Sequence, residues 1–483
     1  MASTTAASTT AATDTLIAWA RDPATAPPPH VLDRTRLALL DTLAAQTAGL
    51  SADGARQVAD LVTYWGGRPE ATVHATGARA PVHHAALANA TCARAWDLDD
   101  VLEHAFCHVS GSVVPAALAV TEAIESSGRR TVGGREFLTA VAVGAEAVCR
   151  MALAPRASFS VTGASRTYEC GTFGAVLTAV RLMGLSEERA RHAMGIALSM
   201  LCGKQQAFLT GAHTVSLGQG LSAQAGVLAA VMAERGVTGA APDIDVLEGR
   251  FGYYFTNHRG EYDADQITAG LGTDWRVLES SIKPLYPCCK FTHTSIAATL
   301  DAVRELDGKA GRIAAIEVEV TDREAYDLAC APDDAKRRPA TQAAAQFSMP
   351  YVVAVAAVHG RVGPEHFVPA ALDDPRVLDV ADRVHIKPDL ATERPTARGA
   401  LPMPAHITVR LRDGATITRQ TTVVKGHPQA PMDFADVAAK FRDCAAFALP
   451  AWDGADTAVE TVRAVPGLPS MSALMGVLPH GPV

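Results

Sequence analysis

Aromatic residues are scarce: Phe, Trp and Tyr make up 5% of the 483 residues, while 48% are hydrophobic and 19% charged. A chain so poor in large rings and so rich in alanine favours closely packed helices over a β-sandwich. The same composition can bury a large core, and its length suggests two or three units of roughly 100–200 residues. Clustered Lys and Arg are also missing, and the formal net charge is −8. That excludes a broad nucleic-acid surface, which needs concentrated positive charge. It leaves open small anionic metabolites, for which a few local donors suffice.

Other absences narrow the field further. The nine cysteines (Cys92, Cys107, Cys149, Cys170, Cys202, Cys288, Cys289, Cys330 and Cys444) are odd in number and scattered. Reduced thiols in a cytoplasm are expected, not a disulfide framework. Cys288 and Cys289 are adjacent, so they form neither a CxxC redox pair nor a zinc knuckle. No apolar run reaches the ~18 residues of a membrane span. The first thirteen residues lack the basic and apolar regions of a signal peptide and read as part of a disordered tail over 1–14. There is no GxSxG elbow, P-loop or Rossmann fingerprint, which argues against hydrolase, kinase and dehydrogenase readings.

What is present is helix after helix. Val31–Ala48 carries leucines at helical spacing behind the Pro27-Pro28-Pro29 breaker. Ser112–Ser126, Gly134–Met151, Gly171–Met183 and Ser222–Glu234 repeat the pattern, and Ser186-Glu187-Glu188 opens another helix as cap and acidic first turn. Many are apolar nearly all round, as expected inside a large bundle. After about Ile282 the pattern changes. Ile313–Thr321, His406–Leu411 and Thr416–Val424 alternate as half-buried strands, the last two joined by a turn at Arg412-Asp413-Gly414. Helices are expected at Thr294–Leu306 and Phe347–Val358 beside them, and at Asp433–Phe447 beyond Pro428. The expected architecture is mainly α with a smaller α+β domain: a helical domain over 15–277, an α/β domain over 278–427, and a segment over 428–483 that returns to the helical domain.

The densest polar cluster is Asp97, Asp99, Asp100, Glu103, His104 and His108. Four carboxylates and two imidazoles within twelve residues are costly to bury without a purpose, and a carboxylate can orient a histidine for acid/base work. The bland alternative is a solvated acidic loop capping the next helix. His104 and His108 would share a face on a helix, one turn after Asp100, which invites a metal reading. The order is not HExxH, and nothing else completes a ligand set, so no metal is expected. A second cluster, Lys283, Tyr286, Lys290, Thr292 and His293, sits where helical sequence gives way to mixed sequence. It suits either a carboxylate-binding pocket at a domain junction or a plain hinge. Gly171-Thr172-Phe173-Gly174 and Gly218-Gln219-Gly220 read as helix-packing points, since no strand precedes them. His83, His84 and His213 read as structural.

Several stretches together resemble the MmgE/PrpD family. They are AALANATCARAWDLDD (85–100), HVSGSVVPAALAV (108–120), GAEAVCR (144–150), CGTFGAVLTAVRLMGLS (170–186), LSAQAGVLAAVMAERGVTG (221–239), YPCCKFTH (286–293) and QFSMPY (346–351). They span nearly the whole chain in the family's order. The resemblance implies a large helical domain built from both ends of the chain, an α/β lid, an active site between them, a homodimer and no metal or organic cofactor. It implies proton, water or carboxyl transfer on a compact carboxylate, and so a lyase or isomerase: dehydratase, decarboxylase, epimerase or cyclase. Carried over by motif, His108 becomes the acid/base and Asp97 an orienting or polarising residue. Lys283, Tyr286 and His293 fall in the family's Lys…Pro-Cys-Cys…Thr-His neighbourhood.

The sequence also departs from the family pattern. Val101 replaces a threonine, Val109 a proline and Ser165 a histidine. Val215–Gly220 lacks both the lysine and the histidine of Lys-x-Leu-His-x-Gly. A pocket short of these groups is expected to take a different, less charged and larger substrate than 2-methylcitrate. Arg166, Lys204 and Lys290 compensate only if they point inward, and Tyr168 stands near the lost histidine as a replacement proton donor. Asp100, His104, Ser165 and Arg166 complete the expected substrate contacts. The competing expectation is a catalytically silent relative that binds a metabolite or protein partner.

Overall fold

A computed structural model describes residues 11–240, 245–306, 310–390 and 404–480. Most of the expected tail, residues 1–10, lies outside the described residues. Helix begins at Ala12 (Ala12–Arg21), with Leu16 and Ile17 fully buried, so the tail does not reach residue 14.

The body is a bundle in which Pro29–Gly49, Val82–Arg94, Ser110–Ser126, Gly134–Leu153, Arg166–Met183 and Thr214–Glu234 pack on one another. Small residues set how closely they approach. A methyl added at Gly174 would lie 2.3 Å from Val148 Cγ2, and one at Gly171 2.8 Å from Ser112 Oγ. At Gly220 it would lie 2.1 Å from Thr91 Oγ1. The Gly171–Gly174 and Gly218–Gly220 motifs are therefore helix-packing contacts, at which a side chain would have no room. Thr214–Glu234 is long and apolar enough to cross a membrane by composition, but it packs between Val82–Arg94 and Arg166–Met183. The Ser186 hydroxyl accepts the Arg189 N–H, capping Glu187–Ser199 as expected.

The mixed domain holds a four-stranded sheet in the order Val384–Pro388, Ile313–Val320, Ala405–Leu411, Thr416–Thr421. The first pair is parallel and the other two antiparallel. Helix His293–Arg304 packs on this sheet and on Met349–His359, which is buried along almost its whole length. Strand Val384–Pro388 was not anticipated, because five residues ending in proline give too short an alternation.

The chain crosses between the two regions twice, side by side: the Ile282 N–H donates to Gly426 O at 3.0 Å. Beyond this point Phe434–Ala448, capped by Asp433, packs on Pro29–Gly49. Its buried Lys440 binds Asp41 Oδ1 (2.5 Å), Leu98 O (2.6 Å) and Lys283 O (2.9 Å). One ammonium thus clamps both helices to the two segments that carry the polar clusters. Burial raises the Asp41 carboxyl to about 6 against the pull of Lys440.

Candidate active site

Residues 95–109 leave one helix and enter another without becoming helical for more than a turn. Asp97 (φ 50°) and Phe106 (φ 51°) both adopt left-handed backbone. Such conformations are uncommon outside glycine and gather at functional sites. Val101 and Ser281 exchange backbone hydrogen bonds of 2.9 and 2.8 Å, pinning the loop to the segment carrying Lys283. His104 lies in the short 3-10 turn Glu103–Ala105, and Phe106 breaks the path to His108. The shared helical face behind the metal reading therefore does not exist. Asp100 accepts the Ser110 N–H (2.9 Å) and Oγ–H (2.8 Å) at the start of Ser110–Ser126. For this residue the capping alternative holds.

The acidic loop folds around His108. Its Nδ1 lies 3.1 Å from Asp99 Oδ1, off the line of a well-formed hydrogen bond, and its Nε2 lies 3.5 Å from Asp97 Oδ1. The His108 side chain is 12% exposed, whereas those of Asp97 and Asp99 are buried. Arg94 Nη1 pairs with Asp97 and reaches Asp99 at 3.4 Å. Lys283 Nζ stands 3.0 Å from Asp97 Oδ1 and also donates to the Asp97 carbonyl. Burial pushes the Asp97 carboxyl up, but Arg94, Lys283 and His108 outweigh it and hold it well below the ordinary carboxylate range. Burial likewise raises Asp99, and His108 and Arg94 bring it below its usual value. Both acids are therefore held as anions, and the His108 ring lies beside them at the edge of the cleft.

Asp97, Asp99 and His108 bring three potential ligand atoms within 4.8 Å of one another. A divalent ion there would face the guanidinium of Arg94 and the ammonium of Lys283, which already answer these carboxylates. The donor set fits an ion-pair network better than a metal.

Beside His108 is a cleft of about 60 Å³ whose apolar wall is formed by Phe106, Phe159, Phe208, Phe291 and Phe347 with Leu328, and which Arg94, Asp97 and Glu103 also line. Ser165, Thr167, Gln205 and Lys290 supply polar lining. The Thr167 hydroxyl accepts the His108 backbone N–H at 3.0 Å. Lys290 faces Glu103 at 3.2 Å; burial depresses its pKa, and Glu103 acts against that.

Of the residues singled out from sequence, Asp97, Val101, Glu103, His108, Ser165, Cys289 and Lys290 line this cleft, and Lys283 supports it from behind. The others do not line it. Tyr168 is buried with its hydroxyl donating to Val215 O at 2.6 Å. Arg166 Nη2 donates to Ala157 O at 2.8 Å. His293 Nε2 lies 3.0 Å from Cys288 O, and Tyr286 packs edge-on against the His293 ring. Lys204, 66% exposed, answers Glu169 and not the cleft. Sequence reading missed Arg94, Thr167, Gln205 and the aromatic walls. Only Arg94 carried a signal, as a cation three residues before Asp97.

Models of two family domains match the chain: the MmgE/PrpD N-terminal domain over residues 16–263 and the MmgE/PrpD C-terminal domain over residues 286–462. The chain is similar to the cis-aconitate decarboxylase-like protein oryM of Aspergillus oryzae, with 27% identity over 83% of each chain. It is also similar to cis-aconitate decarboxylase of Aspergillus terreus, at 25% over 88% of each. The human cis-aconitate decarboxylase matches at 25% over 93% of this chain and 90% of its own. A helical body with a smaller mixed domain, a histidine held between two carboxylates, and matches over most of its length all lead to one assignment: the chain belongs to the MmgE/PrpD family.

Proposed function

We propose that this protein is a cofactor-independent lyase or isomerase that moves a proton next to a carboxylate, with His108 as the acid/base. The observation that carries this reading is the seat of His108. Two carboxylates orient its ring, and both are kept ionised by buried cations, so the imidazole is the group left to exchange protons with a ligand. A carbon acid in the cleft would give its proton to His108. The negative charge left behind would face Lys290 and the hydroxyls of Ser165 and Thr167. Fixed donors of this kind stabilise developing charge without reorganising.

The relatives are named for cis-aconitate, but the charges here favour something less anionic. Arg94 and Lys283 are matched by Asp97 and Asp99, and Lys290 by Glu103. A tricarboxylate would enter with no cation left over, and unpaired buried charge is expensive. The five phenylalanines favour a substrate with one carboxylate and an apolar face. The small volume argues for a compact molecule and against the larger one expected from the sequence.

The test is proton NMR in D₂O with cis-aconitate, 2-methylcitrate and a panel of unsaturated or α-acidic monocarboxylates. Deuterium uptake or product is expected with a monocarboxylate and should fall by roughly 10²–10⁴-fold in His108→Ala. Turnover that survives the substitution would remove His108 from this role. Binding without turnover across the panel would favour a catalytically silent family member, the reading that the fully paired cations support.

A further inference from the structure

Two sets of ion pairs border the cleft beside His108, and they are built differently. Asp97 is locked by Arg94 and Lys283, and none of these three side chains is more than 2% exposed. Glu103 and Lys290 pair at 3.2 Å, but their side chains keep 6% and 10% exposure and both line the cleft. The second pair is the more open to a ligand.

Glu103 is fixed where it stands. It opens the 3-10 turn Glu103–Ala105, and the Leu102 N–H donates to Cys107 O at 2.8 Å to close the loop around that turn. Val101, two positions earlier, exchanges backbone hydrogen bonds with Ser281. The Ser281 hydroxyl donates to the same Glu103 Oε1 that faces Lys290. Turning this carboxylate away from Lys290 means breaking a contact with a segment 178 positions away.

The charges around the cleft then balance. Arg94, Lys283 and Lys290 stand against Asp97, Asp99 and Glu103. Asp97 and Asp99 lie against the His108 ring, and Glu103 lies against Lys290. An ammonium has three donors, so Lys290 can serve Glu103 and one ligand carboxylate together. A second ligand carboxylate would enter beside a buried acid with no cation to meet it, and such a charge is expensive.

We infer that Glu103 is a specificity-determining residue that sets the charge of the ligand: by answering Lys290 in advance, it admits one carboxylate and turns away a second. The inference rests on the cleft being the ligand site of the proposed function, but not on His108 moving a proton.

Crotonate and fumarate test it, because they share a rigid trans skeleton and differ by a methyl group against a second carboxylate. Dissociation constants are read at pH 7 by ligand-observed proton NMR titration, which needs no turnover. A unit charge a few ångström away in a partly buried site is worth about tenfold or more in binding. The wild-type chain is therefore expected to bind crotonate about tenfold or more tightly than fumarate. Glu103→Gln keeps the shape and removes the charge, and its preference should fall by about tenfold, mainly through tighter fumarate binding. Glu234→Gln neutralises an acid paired with the exposed Arg129, changes the net charge equally and should keep the wild-type preference. If circular dichroism shows Glu103→Gln unfolded, Lys290→Gln carries the test. It leaves an acid in excess, so both ligands should weaken by about tenfold or more, and fumarate the further. Fumarate binding the wild-type chain as tightly as crotonate would overturn the inference without any variant. So would an unchanged preference in Glu103→Gln, an equal change in Glu234→Gln, unmoved affinities in Lys290→Gln, or binding of neither ligand at millimolar concentration. Deuterium exchange lost in His108→Ala beside a failed preference would sink the charge selection alone. An intact preference without exchange would sink the reaction alone.

Discussion

Lys283 Nζ stands 3.0 Å from Asp97 Oδ1, an ion pair between two buried side chains 186 positions apart in the sequence. It joins the loop after one helix to the segment that leads into the mixed domain. Removing one partner of such a pair leaves an uncompensated buried charge, at about 3–5 kcal/mol. Lys283→Met is expected to lose that much in urea unfolding at pH 7. Arg129→Ala breaks an exposed pair with Glu234 and should lose under about 1 kcal/mol. Equal losses would mean that Lys283 does not hold the site.

Asp99 touches His108 but lies outside the cleft lining, so under the proposed function it acts by positioning the ring. Asp99→Asn keeps the shape and removes the charge. Turnover is expected to fall, up to the roughly 10²–10⁴-fold that a positioned base contributes, with KM changed only a few-fold. A rise in KM at unchanged kcat would make Asp99 a binding residue instead.

These two residues show what the sequence made legible. Asp97, Asp99 and His108 lie within twelve positions, so their cluster was visible. Lys283 was visible in the second polar cluster, but its pairing was not, since nothing local tells a lysine that it will face an aspartate 186 residues away. Arg94 reads locally as a cation in the last turn of a helix, where the dipole alone would favour it. Its contacts with Asp97 and Asp99 depend on the left-handed turn at Asp97, which propensity gives no reason to expect. The metal reading failed for a related cause: a spacing of four means a shared face only on a helix, and Phe106 interrupts the chain between His104 and His108. The helices themselves were clear because their alanine-rich apolar runs are long and bounded by glycine, proline or polar caps. The aromatic cleft was not, because five phenylalanines from five separate segments carry no common motif.

Gly111 offers a way to move Asp99 without replacing it. A methyl there would sit 2.9 Å from Asp99 Oδ2 and 3.1 Å from Gln219 Cδ. The carboxylate must shift, and a displacement of about 1 Å at a reacting group can cost on the order of 10²-fold. Gly111→Ala is expected to lower kcat by about that factor. Gly174→Ala is the control: its methyl would meet Val148 at 2.3 Å, away from the cleft, so it should cost about 1–3 kcal/mol of stability and little turnover per folded molecule. Comparable kcat in the two variants would disconnect Gly111 from the site.

Glu169 provides the pH prediction. Its carboxylate is buried, accepts the Asn257 amide at 2.8 Å and faces Lys204 at 3.3 Å. Burial raises the carboxyl from 4.5 to about 7, with Lys204 opposing. Below 4.5 both folded and unfolded chains hold the proton. Between 4.5 and 7 the unfolded chain releases it and the folded chain keeps it, so rising pH removes stability across that window. Above 7 both are ionised and the full penalty remains, on the order of 3 kcal/mol. Glu169→Gln keeps the shape without the charge, and Lys204, being mostly exposed, loses little with its partner. The variant should therefore match wild type near pH 4.5 and exceed it by about 2 kcal/mol at pH 8 in urea unfolding. Parallel stability curves from pH 4.5 to 8 would mean that Glu169 already ionises in the folded chain as it does in the unfolded one. The Lys204 and Asn257 contacts would then outweigh the cost of burial.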